Sequence, residues 1–121
     1  MPVARTGRGG SRPGGSAANL AIWLASFDVP VRFAARVGAT DLETHRTHLA
    51  RHNVTPLLAP DPDLPSGVLI SIIDPDGERS FLTDRGANLN LSAVDLPVDI
   101  LDGQSRVSVS GYCFFADRPR A

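Results

Sequence analysis

Hydrophobic and polar positions change their spacing several times along this chain of 121 residues. Residues 16–27 are apolar on nearly every face of a helix, which is typical of a helix buried on several sides. Residues 31–37 alternate between apolar and polar side chains, as a strand with one wet face does. Residues 41–52 return to helical spacing, and Asp41 is placed to cap that helix. The pattern therefore predicts helix, strand and helix in this order.

The middle of the chain is patterned as a hairpin. A β-branched run at 68–73 and an extended stretch at 79–83 flank the turn Asp74-Pro75-Asp76-Gly77. An Asp-Gly pair between two such stretches is a strong hairpin signal. Shorter elements are also predicted: a strand at 54–58, a helix or turn capped by Ser92 and ending near Pro97, and a strand at 107–110.

Strands that alternate with helices predict βαβ units and a parallel sheet, with the hairpin as an excursion. Residues 1–13 are rich in Arg, Gly, Ser and Pro and have no periodicity, so we expect a disordered lead-in. One domain at most fits this length.

Two adjacent glycines before the first helix form a candidate binding loop. Gly14 and Gly15 allow a tight turn and a close approach of the backbone to a ligand. Ser16 is a good N-cap, and Asn19 in the first turn carries an amide that donates and accepts hydrogen bonds. Such a helix start suits a hydroxyl-rich or anionic small molecule. A Gly-rich loop that only enters a buried helix explains the same residues, and both interpretations stay open.

Composition narrows the classes of function. A formal net charge of −1 argues against nucleic-acid binding, and no apolar run has the length of a membrane span. The N-terminus lacks the apolar core of a secretory signal, and Cys113 has no second cysteine to pair with, so we expect a cytoplasmic protein. All 12 basic residues are arginine, which excludes a Walker-type phosphate loop and a Schiff-base lysine.

The positions of the histidines and of the cysteine favour structural roles over metal binding and nucleophilic chemistry. His45, His48 and His52 share one helix face with two leucines, which favours a half-buried packing surface with histidines at its rim over a metal site. Cys113 lies among apolar neighbours and is expected to be an inert buried thiol. We therefore expect no metal site.

Several of these motifs occur in an order known from one enzyme family. They are Gly14-Gly15-Ser16-Ala17-Ala18-Asn19-Leu20-Ala21, then Gly38 and Asp41, the hairpin 67–83 with Asp84-Arg85-Gly86-Ala87-Asn88, and Ser110-Gly111-Tyr112. Together they resemble the N-terminal part of the ribokinase/PfkB carbohydrate kinases over about residues 12–115. The resemblance implies an α/β protein: an incomplete ribokinase-like (Rossmann-like) layered fold in which residues 14–121 form a partial kinase domain and 67–83 form a β-hairpin lid.

The resemblance also implies phosphorylation of a sugar or sugar acid by ATP with Mg²⁺. Gly14, Gly15 and Asn19 match family positions that hydrogen-bond sugar hydroxyls. Val68 and Ile70 lie on the lid strand that covers the sugar, although which face points inward is not determined by the sequence. Arg85 matches a position that could reach an acidic or phosphorylated substrate, and a solvated loop arginine is an equal alternative. The segment 79–88 favours a sugar acid such as 2-keto-3-deoxygluconate over ribose or fructose.

Some family features have no counterpart in this sequence. The first core strand with its sugar-binding aspartate is not found before Gly14, Asp28 stands in place of a glycine or serine, and Thr44 replaces a glycine. The C-terminal motif that supplies the anion hole, the catalytic aspartate and the ATP site is also not found. We therefore expect no catalytic residue, no ATP bound by this chain alone, and no activity in isolation.

Two alternatives to a catalytic role follow from the same residues. The chain could be a non-catalytic sugar-binding or dimerisation module that pairs through the lid hairpin, or one half of a split kinase completed by a complementing C-terminal half. In either case helix 16–27 is expected to expose apolar surface, which makes an isolated chain marginally stable or prone to aggregation.

Overall fold

Two sheets organise residues 3–6, 10–104 and 106–114, the parts of the chain that the computed structural model describes. Two helices and several 3-10 turns accompany them. In chain order the regular elements are β1 (Val3–Thr6), β2 (Gly10–Pro13), α1 (Ser16–Ala25), β3 (Val31–Gly38), α2 (Leu42–Arg51), β4 (Val54–Asp61), β5 (Val68–Ile73) and β6 (Arg79–Asp84).

The first sheet is a parallel pair formed by β3 and β4. Their register runs from Val31 opposite Val54 to Gly38 opposite Asp61, and α2 connects the two strands. This confirms the predicted βαβ unit, although β4 continues three residues beyond the predicted end at 58. Parallel neighbours need such a crossover because the second strand must start again at the same end of the sheet.

The core of the protein lies between this pair of strands and the two helices. Small side chains on one face of α1 allow that helix to approach closely, and larger aliphatic side chains fill the space from α2, β3 and β4. The buried apolar cluster comprises Ala18, Ala21, Ala25, Ala35, Val37, Leu49, Val54 and Leu58.

Helix α1 is buried on one face, so the prediction that it is buried on several sides is wrong. Its alanines face the core, whereas Leu20, Trp23 and Leu24 are exposed, Trp23 by 66%. A two-stranded sheet covers only one side of a helix, which leaves the other apolar side in solvent. The expected exposed apolar surface is thus confirmed. The helix ends at Ala25, and Asp28 in the turn after it has a φ of 59°.

The second sheet has four strands in the order β2-β1-β5-β6. Strand β1 pairs antiparallel with β2 and parallel with β5, and β5 pairs antiparallel with β6. Residues 3–6 and 10–13 are therefore strands, and the expectation of a disordered lead-in over 1–13 is wrong for them. The reason is a partner distant in sequence: β5 offers backbone hydrogen bonds that local composition does not reveal.

The hairpin of β5 and β6 confirms the prediction made from the Asp-Gly turn. Asp74 Oδ1 accepts hydrogen bonds from the backbone N–H groups of Asp76 and Glu78, each at 2.9 Å. Gly77 has a φ of +84°, a conformation that glycine adopts without steric cost. The aspartate and the glycine thus each contribute to the turn.

The last part of the chain departs from the prediction. Residues 107–110 form no strand, because no other strand in the described part of the chain pairs with them. Ser92 does cap a short 3-10 helix, in a capping box completed by Asp95, as predicted.

Cys113 is exposed, so the expectation of a buried thiol is wrong. Among the described residues, no helix is long and apolar enough to cross a membrane.

Candidate functional site

Three connections leave the same end of the four-stranded sheet, and each contains glycine. Val3 pairs with both Pro13 and Val68, and Val68 pairs with Asp84, so the end of β2, the start of β5 and the end of β6 lie in one row. Neighbouring strands are about 5 Å apart, so this row spans roughly 15 Å. The residues that adjoin this row outside the sheet are Gly14–Gly15 after β2, Gly67 before β5 and Arg85–Gly86 after β6. We call them the glycine junction.

The start of α1 is built on the first of these connections. Gly15 is the N-cap, with a φ of +113° that residues with a Cβ rarely adopt, and its carbonyl accepts the first helical hydrogen bond from Asn19 N at 2.9 Å. Ser16 was predicted as the cap but is already the first helical residue. Asn19 is exposed. Within the part of the chain that the structure describes, no side-chain cap hydrogen bond is made to the N–H groups of the first turn.

One face of the hairpin forms an open concavity of about 290 Å³. Val68 and Ile70 alternate along β5, and Asp84 and Leu82 lie directly opposite them on β6. Residues paired in this way share a face of the sheet. These four residues, with Thr83, line the concavity. The face of β5 that carries the predicted residues Val68 and Ile70 is thus the concave one.

Arg85 is held beside the start of α1 by the segment 110–112. Its guanidinium donates to the carbonyl of Tyr112 at 3.3 Å, and the hydroxyls of Ser110 and Ser16 lie 3.4 Å apart. Ser110 and Tyr112 are two positions apart, which limits the distance between their Cα atoms to about 7 Å. The structure therefore brings together Gly14, Gly15, Val68 and Arg85 at one end of the sheet, with Asn19 one turn into the helix.

The other two connections of the glycine junction pack too closely for side chains. Gly86 has a φ of +48°, and a Cβ on it would overlap the carbonyl oxygen of Pro65. A Cβ on Gly67 would overlap the side-chain amide of Asn88. That amide donates to Arg85 O, and Ala87 N donates to Pro65 O, each at 2.8 Å. The motif Gly86-Ala87-Asn88 therefore locks β6 against the segment that leads into β5.

A second network joins this segment to α2 through Asp41. Ser66 Oγ accepts a hydrogen bond from Gly38 N at 2.9 Å and donates to Asp41 Oδ1 at 2.6 Å. Asp41 Oδ2 lies 3.3 Å from His45 Nε2. Asp41 was predicted to cap α2, but its side chain makes no cap hydrogen bond and binds these two residues instead.

His45 is 1% exposed, so the prediction that the histidines lie at the rim of α2 is wrong for it. Its Nδ1 has no hydrogen-bond partner among the described residues. Burial lowers the pKa of His45 below its ordinary value of 6.5, although the carboxylate of Asp41 acts in the opposite direction. Burial, together with the neighbouring His52, also lowers the pKa of His48.

We predict that the folded chain loses stability as the pH falls below about 6.5. The unfolded chain binds a proton at His45 near its ordinary pKa of 6.5, whereas the folded chain binds it only at a lower pH. The stabilising difference is fully present above that value and decreases as the pH falls through the folded pKa. Urea unfolding between pH 5 and pH 8 would show a smaller free energy of unfolding at the acidic end.

The matched variants are His45→Gln and His52→Gln, since His52 is exposed. We expect His45→Gln to remove most of the pH dependence and His52→Gln to change it only through His48, whose pKa His52 also lowers. The shift at His48 has the same sign and accounts for a small remaining slope. Equal pH dependence in the wild type and in His45→Gln would contradict this assignment.

Sequence reasoning missed a buried aspartate at the end of β4. Asp61 is 2% exposed, and its Oδ2 accepts hydrogen bonds from Arg36 Nε at 2.8 Å and Asn90 Nδ2 at 2.9 Å. Its Oδ1 accepts from the backbone N–H groups of Asp63 and Leu64. The hydrogen bond from Asn90 is the largest of several that hold the pKa of Asp61 far below its ordinary range. No local pattern distinguishes Asp61 from Asp63, the exposed aspartate two residues later in the same Pro/Asp-rich segment.

The described residues hold no group of three or more His, Cys, Asp or Glu side chains arranged to bind a metal ion.

Comparison with known families decides to which family the chain belongs. The family described as pfkB family carbohydrate kinase matches residues 1–119. This chain is a member of the PfkB family of carbohydrate kinases. The match begins at residue 1, ahead of the start near residue 12 expected from the motifs.

Solved kinase structures share the fold of this PfkB family member. An uncharacterized sugar kinase from Pyrococcus horikoshii in complex with ATP is 21% identical, with a TM-score of 0.75 over 84% of this chain and 38% of its own. A fructokinase from Vibrio cholerae is 25% identical, with a TM-score of 0.61 over 79% and 35%. A ribokinase from Cryptococcus neoformans in complex with ADP is 24% identical, with a TM-score of 0.63 over 74% and 28%.

The chain therefore spans roughly a third of the length of these kinases. A comparison with curated proteins finds no match. The similarity confirms the predicted α/β fold of the ribokinase type.

Proposed function

We propose that this chain is the sugar-binding and lid portion of an ATP-dependent sugar or sugar-acid kinase. Membership of the PfkB family supports the general class, and the relatives named fructokinase and ribokinase act on sugars by their names. The ligand proposed for this chain is a small hydroxylated molecule. We propose that the chain acts in the cytoplasm and binds neither nucleic acid nor a membrane. The kind of sugar proposed as substrate is argued below from residues of the glycine junction and the hairpin.

The observation that supports this proposal best is the row formed by Pro13, Val68 and Asp84. Pro13 lies three residues before the start of α1 and two strand spacings, roughly 10 Å, from Val68 on the concave face of the hairpin. A sugar presents hydroxyl groups at its rim and C–H groups on its ring faces. Backbone N–H groups after Gly14 and Gly15 and the amide of Asn19 would bind hydroxyls.

The hairpin would supply the apolar part of the same site. Val68 and Ile70 share its concave face and would contact the C–H groups of the ring, as an apolar lid does. Arg85 follows directly after the concave face, where its planar guanidinium could bind a carboxylate of a sugar acid. The hairpin 67–83 is thus proposed as a lid over a sugar held at the start of α1.

The described residues do not fit a nucleotide or a magnesium ion. The sequence has no lysine to reach phosphates, and no cluster of carboxylates among the described residues could hold a cation. ATP and Mg²⁺ belong to the proposed activity of a complete kinase. We assign no catalytic residue here and propose that this chain does not transfer a phosphoryl group alone.

Sugar binding by the chain itself tests this proposal. We expect Asn19→Ala to weaken the binding of a neutral sugar such as D-fructose or D-ribose about tenfold, because one or two hydrogen bonds of about 1 kcal/mol each are lost. Titration calorimetry measures the affinity. Gln104→Ala removes an exposed side-chain amide outside the concavity and the glycine junction and should leave the affinity unchanged. Equal affinities in the wild type and Asn19→Ala would contradict the role of Asn19.

A second candidate is a non-catalytic module that pairs through the hairpin. Strand β6 is the edge of its sheet and is exposed along its whole length, with Phe81 56% and Leu82 60% exposed. An exposed edge of this kind can add a strand from a second copy. A dimer whose mass is independent of concentration in sedimentation would favour this candidate. Phosphoryl transfer restored by mixing with a complementing C-terminal half would favour a split kinase.

A further inference from the structure

Asp84 is the charged residue of the concave hairpin face. It lies opposite Val68 at the end of β6 and lines the concavity together with Val68, Ile70, Leu82 and Thr83. Each of the other lining side chains is uncharged. Among the lining residues that the structure describes, Asp84 therefore carries the one charge of this surface.

Local hydrogen bonds hold this carboxylate in place. Asp84 Oδ1 accepts a hydrogen bond from Gly86 N at 3.0 Å. Its second oxygen, Oδ2, accepts none from any residue that the structure describes, so it remains able to accept one from a ligand. Gly86 packs closely against Pro65, whose carbonyl accepts a hydrogen bond from Ala87 N. The orientation of Asp84 is thus set by a rigid part of the glycine junction.

Arg85, the cation next to Asp84 in sequence, does not line the concavity. Its guanidinium donates to the carbonyl of Tyr112 at 3.3 Å, in the segment that contacts the start of α1. Successive residues at the end of a strand point in different directions, which separates the two charges. The concavity therefore carries a negative charge that this arginine does not cover.

We propose that Asp84 determines specificity at this site by accepting a hydrogen bond from a hydroxyl of an uncharged sugar and repelling ligands with a carboxylate or phosphate. A hydroxyl donates to a carboxylate in a strong, charge-assisted hydrogen bond. A second anion near the same oxygen is repelled, most strongly at low ionic strength. The inference rests on the proposed function and selects neutral sugars from the wider class of sugars and sugar acids. It replaces the alternative in which Arg85 binds the carboxylate of a sugar acid.

The test uses ligands that differ in charge at one carbon. D-glucose and D-glucuronate share a ring and differ at C6, and D-fructose and D-ribose serve as further neutral probes. We expect the wild-type chain to bind D-glucose at least tenfold more tightly than D-glucuronate in titration calorimetry at low salt. The ratio should decrease as salt is added, since exposed charges are screened.

Asp84→Asn keeps the shape and one acceptor oxygen but removes the charge. We expect this variant to bind D-glucuronate about tenfold more tightly than the wild type does and to change D-glucose affinity less than threefold. Asp76→Asn removes the same charge from the exposed hairpin turn, outside the concavity, and should leave the ratio unchanged. Far-UV circular dichroism verifies that each variant is folded.

The outcomes separate this inference from the proposed function. Binding by the wild type with the same ratio in Asp84→Asn would overturn the role of Asp84 alone. An equal change of the ratio in Asp76→Asn would also overturn it, because net charge would then explain the effect. No binding of any of the four probes by the wild type would overturn the proposed function and this inference with it.

Discussion

Gly86→Ala is expected to lower the free energy of unfolding by about 2–6 kcal/mol. A residue with a Cβ at a φ of +48° carries backbone strain of about 1–3 kcal/mol. The new Cβ would also overlap the carbonyl oxygen of Pro65, which is a backbone atom that accepts a hydrogen bond from Ala87 N and cannot move aside as a side chain does. Displacing packed atoms of this kind adds about 1–3 kcal/mol. Urea unfolding followed by circular dichroism measures the loss.

Gly77→Ala is the matched control for this prediction. Gly77 also has a positive φ, +84°, but nothing lies within 4 Å of the position a Cβ would take. The same substitution there therefore introduces strain without overlap and is expected to cost about 1 kcal/mol. The difference between the two variants isolates the close approach at the glycine junction. Equal decreases in the free energy of unfolding for the two variants would mean that the close approach of Gly86 to Pro65 does not contribute to stability.

Leu49→Ala is expected to cost about 2–5 kcal/mol of unfolding free energy. Leu49 on α2 is fully buried within the cluster formed by α1, β3 and β4. Its truncation removes apolar contacts and leaves a cavity that the surrounding backbone fills only in part. Denaturant titration gives the change in stability. Domains of this size are stable by about 5–15 kcal/mol, so the loss is a large share of the total.

Leu101→Ala provides the comparison at an exposed site. Leu101 is 60% exposed, so the same substitution removes few contacts and is expected to change stability by less than about 0.5 kcal/mol. A loss at Leu49 no larger than the loss at Leu101 would show that this cluster does not stabilise the fold.

Periodicity predicted the parts of the fold that depend on neighbours in sequence. The alternating stretch at 31–37 and the helical stretch at 41–52 became β3 and α2 because one buries alternate residues and the other buries one helix face. The hairpin followed from Asp76 and Gly77, whose turn geometry needs little help from the rest of the molecule. In each case the physical cause lies within about ten residues.

The elements that were missed depend on distant partners. Residues 3–6 and 10–13 carry no strand pattern and pair because β5 lies beside β1. The alternating Val-Ser stretch at 107–110 does carry such a pattern and stays irregular without a partner strand in the described part of the chain. Trp23 and Phe27 are exposed for a similar reason, because nothing described covers the outer face of α1. Local composition cannot report such absent or remote neighbours.

The candidate site was predicted in part. Gly14, Gly15 and Arg85 were selected from motifs, and register places them at one end of the sheet with Val68. Asp84 was not selected, because an aspartate before a loop has no distinguishing local signal. Its position in the concavity becomes apparent only when Leu82 and Ile70 are seen to share its face. The predicted roles in sugar binding stay predictions.

The order of strands in the larger sheet also has a consequence for how the chain assembles. Strand β1 starts at Val3 and its parallel partner β5 starts at Val68, so the two can meet only after the whole segment between them has been synthesised. The unit β3-α2-β4 is contiguous and can form first, since closing short loops is fast. Until β5 arrives, β1 and β2 form an isolated two-stranded hairpin, which is marginally stable in water. The start of the chain is therefore expected to acquire its structure late, after the residues that follow it.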